Sequence, residues 1–306
     1  MRAPSPRGIL VPLDGSELAE QALSVGASRA REAGATLHLV SVHEPLPVMA
    51  MPPDFPVAMQ DLEERRREEM TQYLEAVAAA ARASRSTEVT ASVLAGGASA
   101  ALCEYVETHP VDLVVMTTHG RTGLSRLWLG SVADRMLRRL AVPMLLLHPS
   151  DAPQPTEFRH VLVALDGEIE DPVLAAAMAV GAGAGRARYT LIRVVEPTIP
   201  IVSGRAMRPG HLPPDWTAQQ EIEARNYLAR LTDRLGPPGL EVSWQVLVGR
   251  GVADQVLELA KAIGADCIVV GTHGARGMER LLLGSVADKI VRGARVPVLV
   301  TPVGHR

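Results

Sequence analysis

The sequence predicts an α/β protein made of two tandem, doubly wound domains, each on a parallel five-stranded sheet. Three observations predict it. First, the chain repeats itself: residues 114–147 and 268–301 align without a gap and agree at 17 of 34 positions. Second, short apolar runs alternate with helix-length periodic segments in each copy, the pattern of βαβ units and a parallel sheet. Third, 306 residues exceed one ordinary domain and suit two of about 150. The residues are 47% hydrophobic but only 3% aromatic, so the core is aliphatic, with Val and Ile for strands and Ala and Leu for helices.

Taken in order, the first copy reads as strand 8–13, helix 17–33, strand 37–43, helix 60–83 and strand 88–94. Helix 98–108, strand 112–117, helix 131–140 and strand 143–147 complete it. The first strand and its turn, Ile9-Leu10-Val11-Pro12-Leu13-Asp14-Gly15, return as Val161-Leu162-Val163-Ala164-Leu165-Asp166-Gly167. The second strand, Leu39–Pro45, returns as Leu191–Pro197. The offset grows from 152 (Ile9 to Val161) to 154 (Val114 to Ile268), so the middle of the second copy has gained two residues. Domains 1–148 and 158–306 follow, joined by a polar, proline-containing linker over 149–157. Stretches 45–59 and 197–215, rich in Pro and Met, occupy equivalent places after the second strand. They read as long loops, serving as lids, partner surfaces or plain connections.

Composition excludes several classes. The net charge is −3, with no basic face of the kind that neutralises nucleic-acid phosphates, so no nucleic-acid partner is expected. The run Glu63–Glu69 mixes both signs and reads as a solvated helix face with internal ion pairs. Cys103 and Cys267 are not equivalent between the copies, and no CxxC or Cys/His cluster suggests a disulfide scaffold or zinc site. Met1–Arg7 lacks a signal-peptide apolar region, and no apolar stretch is long enough to span a membrane. A cytoplasmic location with no membrane partner is the expectation.

The chemistry concentrates after the fourth strand of each copy. Copy two carries Gly271-Thr272-His273-Gly274, nine residues, then Gly284-Ser285; copy one carries Thr117-Thr118-His119-Gly120, nine residues, then Gly130-Ser131. Glycines let the backbone approach an anion and adopt positive φ, and a helix opening at Gly-Ser presents unpaired N–H groups to phosphate. The same Ser-Val-Ala-Asp at 131–134 and 285–288 also fits a capping box, with the serine as N-cap. Asp14 and Asp166 are either ligand or cation contacts or turn residues after a strand. His119 and His273 lie inside the loop, where packing or a loop hydrogen bond explains them without a catalytic partner. Gly181-Ala182-Gly183-Ala184-Gly185 imitates a dinucleotide fingerprint but sits between a helix and a strand, the reverse of the required context. No Walker motif occurs.

The Gly-x2-Gly-x9-Gly-Ser arrangement, a first strand ending in Asp-Gly and a last strand of the VPVLL type together resemble the universal stress protein family, over almost the whole chain. The resemblance implies a tandem, ATP-binding type with a Rossmann-like fold of the adenine nucleotide alpha hydrolase kind. It implies that the last strands, 142–147 and 296–301, pair with each other in an intramolecular pseudo-dimer, with further homodimerisation left open. Carried over by position, the adenosine end meets Pro12, Asp14 and Val42 in copy one and Ala164, Asp166 and Val194 in copy two. The phosphate end meets Thr117, Gly120, Gly130, Ser131 and Val132, and Gly271, Gly274, Gly284, Ser285 and Val286. Asp14 and Asp166 are the residues that would hold Mg²⁺ against the phosphates. Two departures mark the copies: Thr117 replaces the first motif glycine, where a β-branched residue narrows the pocket or forbids a backbone angle. Glu168 in copy two replaces Ser16 of copy one.

The function expected is nucleotide-dependent stress response or regulation, acting through shape and an unidentified protein partner. ATP hydrolysis is at most slow, because no base and transition-state cation stand out. The alternative is a stress protein that binds partners or another small ligand, with one or both nucleotide pockets vestigial.

Overall fold

The computed structural model describes residues 6–45, 55–84, 87–118, 129–149, 153–167, 171–184, 187–197, 201–202, 205–206, 216–235, 240–272 and 283–303. The chain divides into two compact units, Pro4–Thr156 and Glu157–Arg306.

The first unit contains β1 (Gly8–Pro12), α1 (Glu17–Ala33), β2 (Thr36–His43), α2 (Phe55–Ser84) and β3 (Val89–Ala95). It continues with α3 (Ala98–Thr108), β4 (Leu113–Thr117), α4 (Ser131–Arg139) and β5 (Met144–Leu147). The strand order is β3-β2-β1-β4-β5, all parallel. Order reverses at β1, because the chain first steps outward to β2 and β3 and then returns to the other side with β4. Right-handed crossovers therefore carry α1 and α2 to one face and α3 and α4 to the other. α1 packs on β1 and β4, α2 on β2 and β3, and α3 against α4. Strands buried on both faces read as continuous aliphatic runs: Ile9, Leu10 and Val11 are fully buried, as are Leu145, Leu146 and Leu147.

The second unit repeats this with β6 (His160–Ala164), α5 (Asp171–Gly181), β7 (Arg188–Val195), α6 (Trp216–Leu235) and β10 (Glu241–Val248). α7 (Val252–Ile263), β11 (Cys267–Gly271), α8 (Ser285–Gly293) and β12 (Val298–Thr301) follow. Its parallel order is β10-β7-β6-β11-β12. Between β7 and α6 stands a short antiparallel pair, β8 (Ile201–Val202) and β9 (Arg205–Ala206). The chain is thus the α/β parallel-sheet protein that the periodicity predicts. No helix among the described residues is long and apolar enough to cross a membrane.

Two expectations change. The stretch 45–59 is not loop throughout, since α2 opens at Phe55. Pro56 falls in its first turn, where a missing N–H costs no helical bond. The stretch 197–215 contains the β8–β9 pair rather than loop alone. The described part of the linker stretch 149–157 makes hydrogen bonds within the first unit. Gln154 donates to Gln21 Oε1 (3.2 Å) and to the His148 carbonyl (2.7 Å), and the buried Arg29 of α1 donates to the Thr156 carbonyl. The glycine-rich imitation of a dinucleotide motif is, as its context implied, the end of α5 followed by a 3-10 turn, Ala182–Ala184.

Candidate functional site

The feature that matters is where β1 stops. Peptide groups of successive strand residues face opposite neighbours, so a few hydrogen bonds fix the direction of all the others. The Leu13 N–H donates to the Val40 carbonyl (2.8 Å), and the Gly96 N–H donates to the His43 carbonyl (3.0 Å). Residue 40 therefore faces β1 and residue 43 faces β3, which turns the peptide groups of Val42 towards β1. By then β1 has ended, since its ladder with β2 closes at Pro12↔Val40 while β2 and β3 stay paired to His43↔Ala95. Val42 thus offers main-chain N–H and C=O to the space that β1 vacates.

The second unit does the same. Leu165 N–H donates to the Ile192 carbonyl (2.9 Å) and Gly249 N–H to that of Val195 (3.0 Å). β6 pairs with β7 only to Ala164↔Ile192, while β7 and β10 run on to Val195↔Val248. Val194 is therefore the counterpart of Val42.

Across the vacated space lies β4 or β11. Thr118 N–H donates to the Leu147 carbonyl (2.8 Å) and Thr272 N–H to that of Thr301 (2.9 Å). Alternation then directs the peptide groups of Thr117 and Gly271 towards β1 and β6. Both residues end their strands, in the pairs Thr117↔Leu147 and Gly271↔Thr301. Gly271 is not among the glycines with positive φ, so Thr117 forbids no backbone angle there. The conformational cost expected of Thr117 does not arise, and only its bulk remains.

The loop after each of these strands is closed at its neck. The Gly130 N–H donates to the Thr118 carbonyl and the Gly284 N–H to the Thr272 carbonyl, both at 2.7 Å. This delivers the starts of α4 and α8 to the same end of the sheet. The capping-box reading fails here. The N-caps are Gly130 (ψ 147°) and Gly284 (ψ 148°), and neither helix has a side-chain cap. Ser131 and Ser285 are the first helical residues and are exposed. Asp134 and Asp288, one position too late to serve a capping box, instead pair with Arg138 and Arg292 one turn on (3.0 and 2.9 Å). Two serine hydroxyls and two uncapped helix starts thus face outward, with Val132 and Val286 beside them; Val286 is 39% exposed.

On the other side stands the turn after β1. Gly15 and Gly167 hold φ of 80° and 96°, which turns the chain sharply into α1 and α5. Asp14 Oδ1 accepts from the Ser16 N–H (3.0 Å) and hydroxyl (2.6 Å), and Ser16 Oγ caps α1 by accepting from the Ala19 N–H (3.2 Å). Asp14 is therefore a turn residue, tied to the first turn of α1 through Ser16. Asp166 is likewise half-buried in its turn. Among the described residues no group of three or more His, Cys, Asp or Glu could enclose a metal ion. Gly120, Gly274, His119, His273 and Glu168 lie outside the described residues.

Three features escaped the sequence reading. Glu44 and Glu196, at the ends of β2 and β7, accept from the Ala98 N–H (2.7 Å) and the Gly251 N–H (3.1 Å), tying the protruding strands to α3 and α7. The repetition of Glu-Pro in both copies was the available signal. His43 pairs with Glu63 of α2 in the first unit only. Arg193, aligned with Ser41, lies over the Tyr227 ring at 5.5 Å. Meanwhile three of the groups whose protonation burial displaces sit at the beginnings of strands, remote from this crevice, and a fourth, the Cys103 thiol of α3, is pushed up by its burial. His38 and His160 are lowered, and Tyr189 is pushed up to about 12.

Fold and site together define a doubly wound α/β class with two repeated crevices at the carboxyl ends of its strands, where such sheets take their ligands. The model of the universal stress protein family matches residues 6–148 and again 157–302, and the chain belongs to that family. A universal stress protein of Mycobacterium tuberculosis is 34% identical over 200 residues, 63% of this chain and 62% of the relative. This match therefore spans less than two thirds of that relative's length. A universal stress protein of Mycobacterium bovis is 23% identical over 310 residues, covering 97% of this chain and 95% of its own. Among solved structures, a universal stress protein from Archaeoglobus fulgidus shares the fold at a TM-score of 0.69 and 22% identity, covering 97% and 99% of the two chains.

Proposed function

We propose that the crevice is a receptor for an adenine nucleotide, ATP in particular, with hydrolysis at most slow. The observation that carries this reading is the pairing, across the end of β1, of an outward main-chain edge at Val42 with an uncapped helix start at Gly130-Ser131. An adenine edge carries a donor and an acceptor side by side, which suits the N–H and C=O of one residue. A polyphosphate suits unpaired helix N–H groups, a positive dipole end and a serine hydroxyl. The second unit supplies the same set as Val194, Gly284 and Ser285.

Asp14 and Asp166, single carboxylates beside the crevice, would hold Mg²⁺ only together with phosphate oxygens, the hard ligands such an ion prefers. Mg²⁺ would supply charge neutralisation to the bound phosphates. The chain's own contribution is orientation: helix amides and serine at one end, strand edge at the other. These are binding groups, and stress-dependent regulation would act through the nucleotide-bound shape and a protein partner. Isothermal titration of the full chain with Mg-ATP tests the reading. Saturable binding below millimolar ATP is expected, and its absence at millimolar ATP contradicts the proposal.

A further inference from the structure

Among the side chains that differ between the two crevices, one on the strand that carries the main-chain edge matters most for access. In the first unit Ser41, fully buried, donates its hydroxyl to the Leu13 carbonyl (2.7 Å) and reaches no further. In the second unit the same place holds Arg193. A β-carbon built on Gly167 would stand 2.5 Å from the Arg193 guanidinium carbon and 2.7 and 2.8 Å from its terminal nitrogens. The guanidinium therefore rests on the bare backbone of Gly167, the turn residue after Asp166. Tyr227 of α6 backs it, with the ring centroid 5.5 Å from the guanidinium carbon. Such a cation–π contact favours this position of the guanidinium over a free one. The side chain thus bridges from β7 to the β6–α5 turn, across the gap that a purine must enter to reach the Val194 edge.

We propose that Arg193 closes the purine end of the second crevice, so that the chain binds nucleotide in its first unit and holds the second shut. This rests on the nucleotide reading given above and deepens it. Only glycine at position 167 allows the closure, because any β-carbon there would displace the guanidinium. Nucleotide enters the second unit only when Arg193 leaves the Tyr227 ring.

Titration calorimetry with Mg-ATP tests this on the full chain. The wild type takes up one ATP per chain. Arg193→Ser, which installs the first unit's residue, takes up two, as does Arg193→Ala; the pair guards against a folding defect in either variant, checked by circular dichroism. Gly130→Trp, which fills the first unit's helix start, abolishes binding in the wild-type background but leaves one site in the Arg193→Ser background. Two equal sites in the wild type, or a single site persisting in both Arg193 variants, overturns the proposal. Absence of ATP binding in the wild type and in every variant overturns the nucleotide reading itself.

Discussion

Two kinds of serine stand at helix starts in this chain, and they separate folding from binding. Ser16 caps α1 through the Ala19 N–H and is held by Asp14. Ser131 and Ser285 cap nothing, because glycine has taken the N-cap place before them. Ser16→Ala is therefore expected to lower the unfolding free energy by about 1 kcal/mol. Ser131→Ala should stay within about 0.5 kcal/mol of wild type, as exposed surface changes do, while weakening ATP binding several-fold. Urea unfolding beside ATP titration checks both, and the reverse pattern would restore the capping box.

A second pair of residues shows how the repeat has diverged without loss of fit. His38 on β2 bonds Tyr105 and Thr90 (both 3.1 Å), and its ring reaches the place where a β-carbon on Gly8 would stand. In the second unit the histidine has moved to β1's counterpart, where His160 bonds Thr190 (2.9 Å). Burial lowers both below their ordinary 6.5. The folded state thus excludes protons that the unfolded chain accepts, so stability is complete above pH 6.5 and falls as the pH drops below it. Each histidine contributes a slope of at most about 1.4 kcal/mol per pH unit. Urea unfolding between pH 7.5 and 5.5 should show this loss, and His38→Gln with His160→Gln should flatten it.

At the scale of elements, the crevice exists because β1 is short, and Pro12 shortens it further on one side. Alternation directs residue 12 towards β4, yet proline has no N–H to give. The β1–β4 ladder stops at Leu10↔Val114, whereas β6–β11, with Ala164 in that place, runs to Val270. Ala164→Pro should remove a buried ladder bond and cost about 1–3 kcal/mol, measured by thermal or urea unfolding. A neutral outcome would mean that the ladder difference has another cause. Strand positions were legible to within a residue or two because each is a compact aliphatic run between turn signals. The start of α2 was not, because prolines look like loop whether they precede a helix or fill its first turn. The Gly-Ser pairs were legible as helix starts, which is what suggested an anion site there. The Ser-x-x-Asp spacing could not say which residue held the cap, since the same letters fit a helix begun one residue later. Val42 and Val194 followed from resemblance alone. Their physical role depends on one strand outrunning its neighbour, which no local pattern encodes.

At the scale of the whole molecule, duplication has kept the frame and relaxed the contents. Both units retain the Asp-Gly turn, the protruding strand, the glutamate that ties it down and the uncapped helix. The sequence placed the asymmetry at Thr117 and Glu168; Thr117 needs only an extended backbone, and our proposal places the asymmetry at Arg193 in the second unit. Turnover should follow the same frame: with only binding groups at the phosphate end among the described residues, ATP hydrolysis should remain far below the roughly 1–100 s⁻¹ of kinases, measured as phosphate release. The most direct test of the account is a crystal structure of the full chain grown with a non-hydrolysable ATP analogue and Mg²⁺. It should place the adenine edge on the Val42 main chain and the phosphates over Gly130 and Ser131. An analogue bound away from the end of β1, or none bound at millimolar concentration, would contradict it.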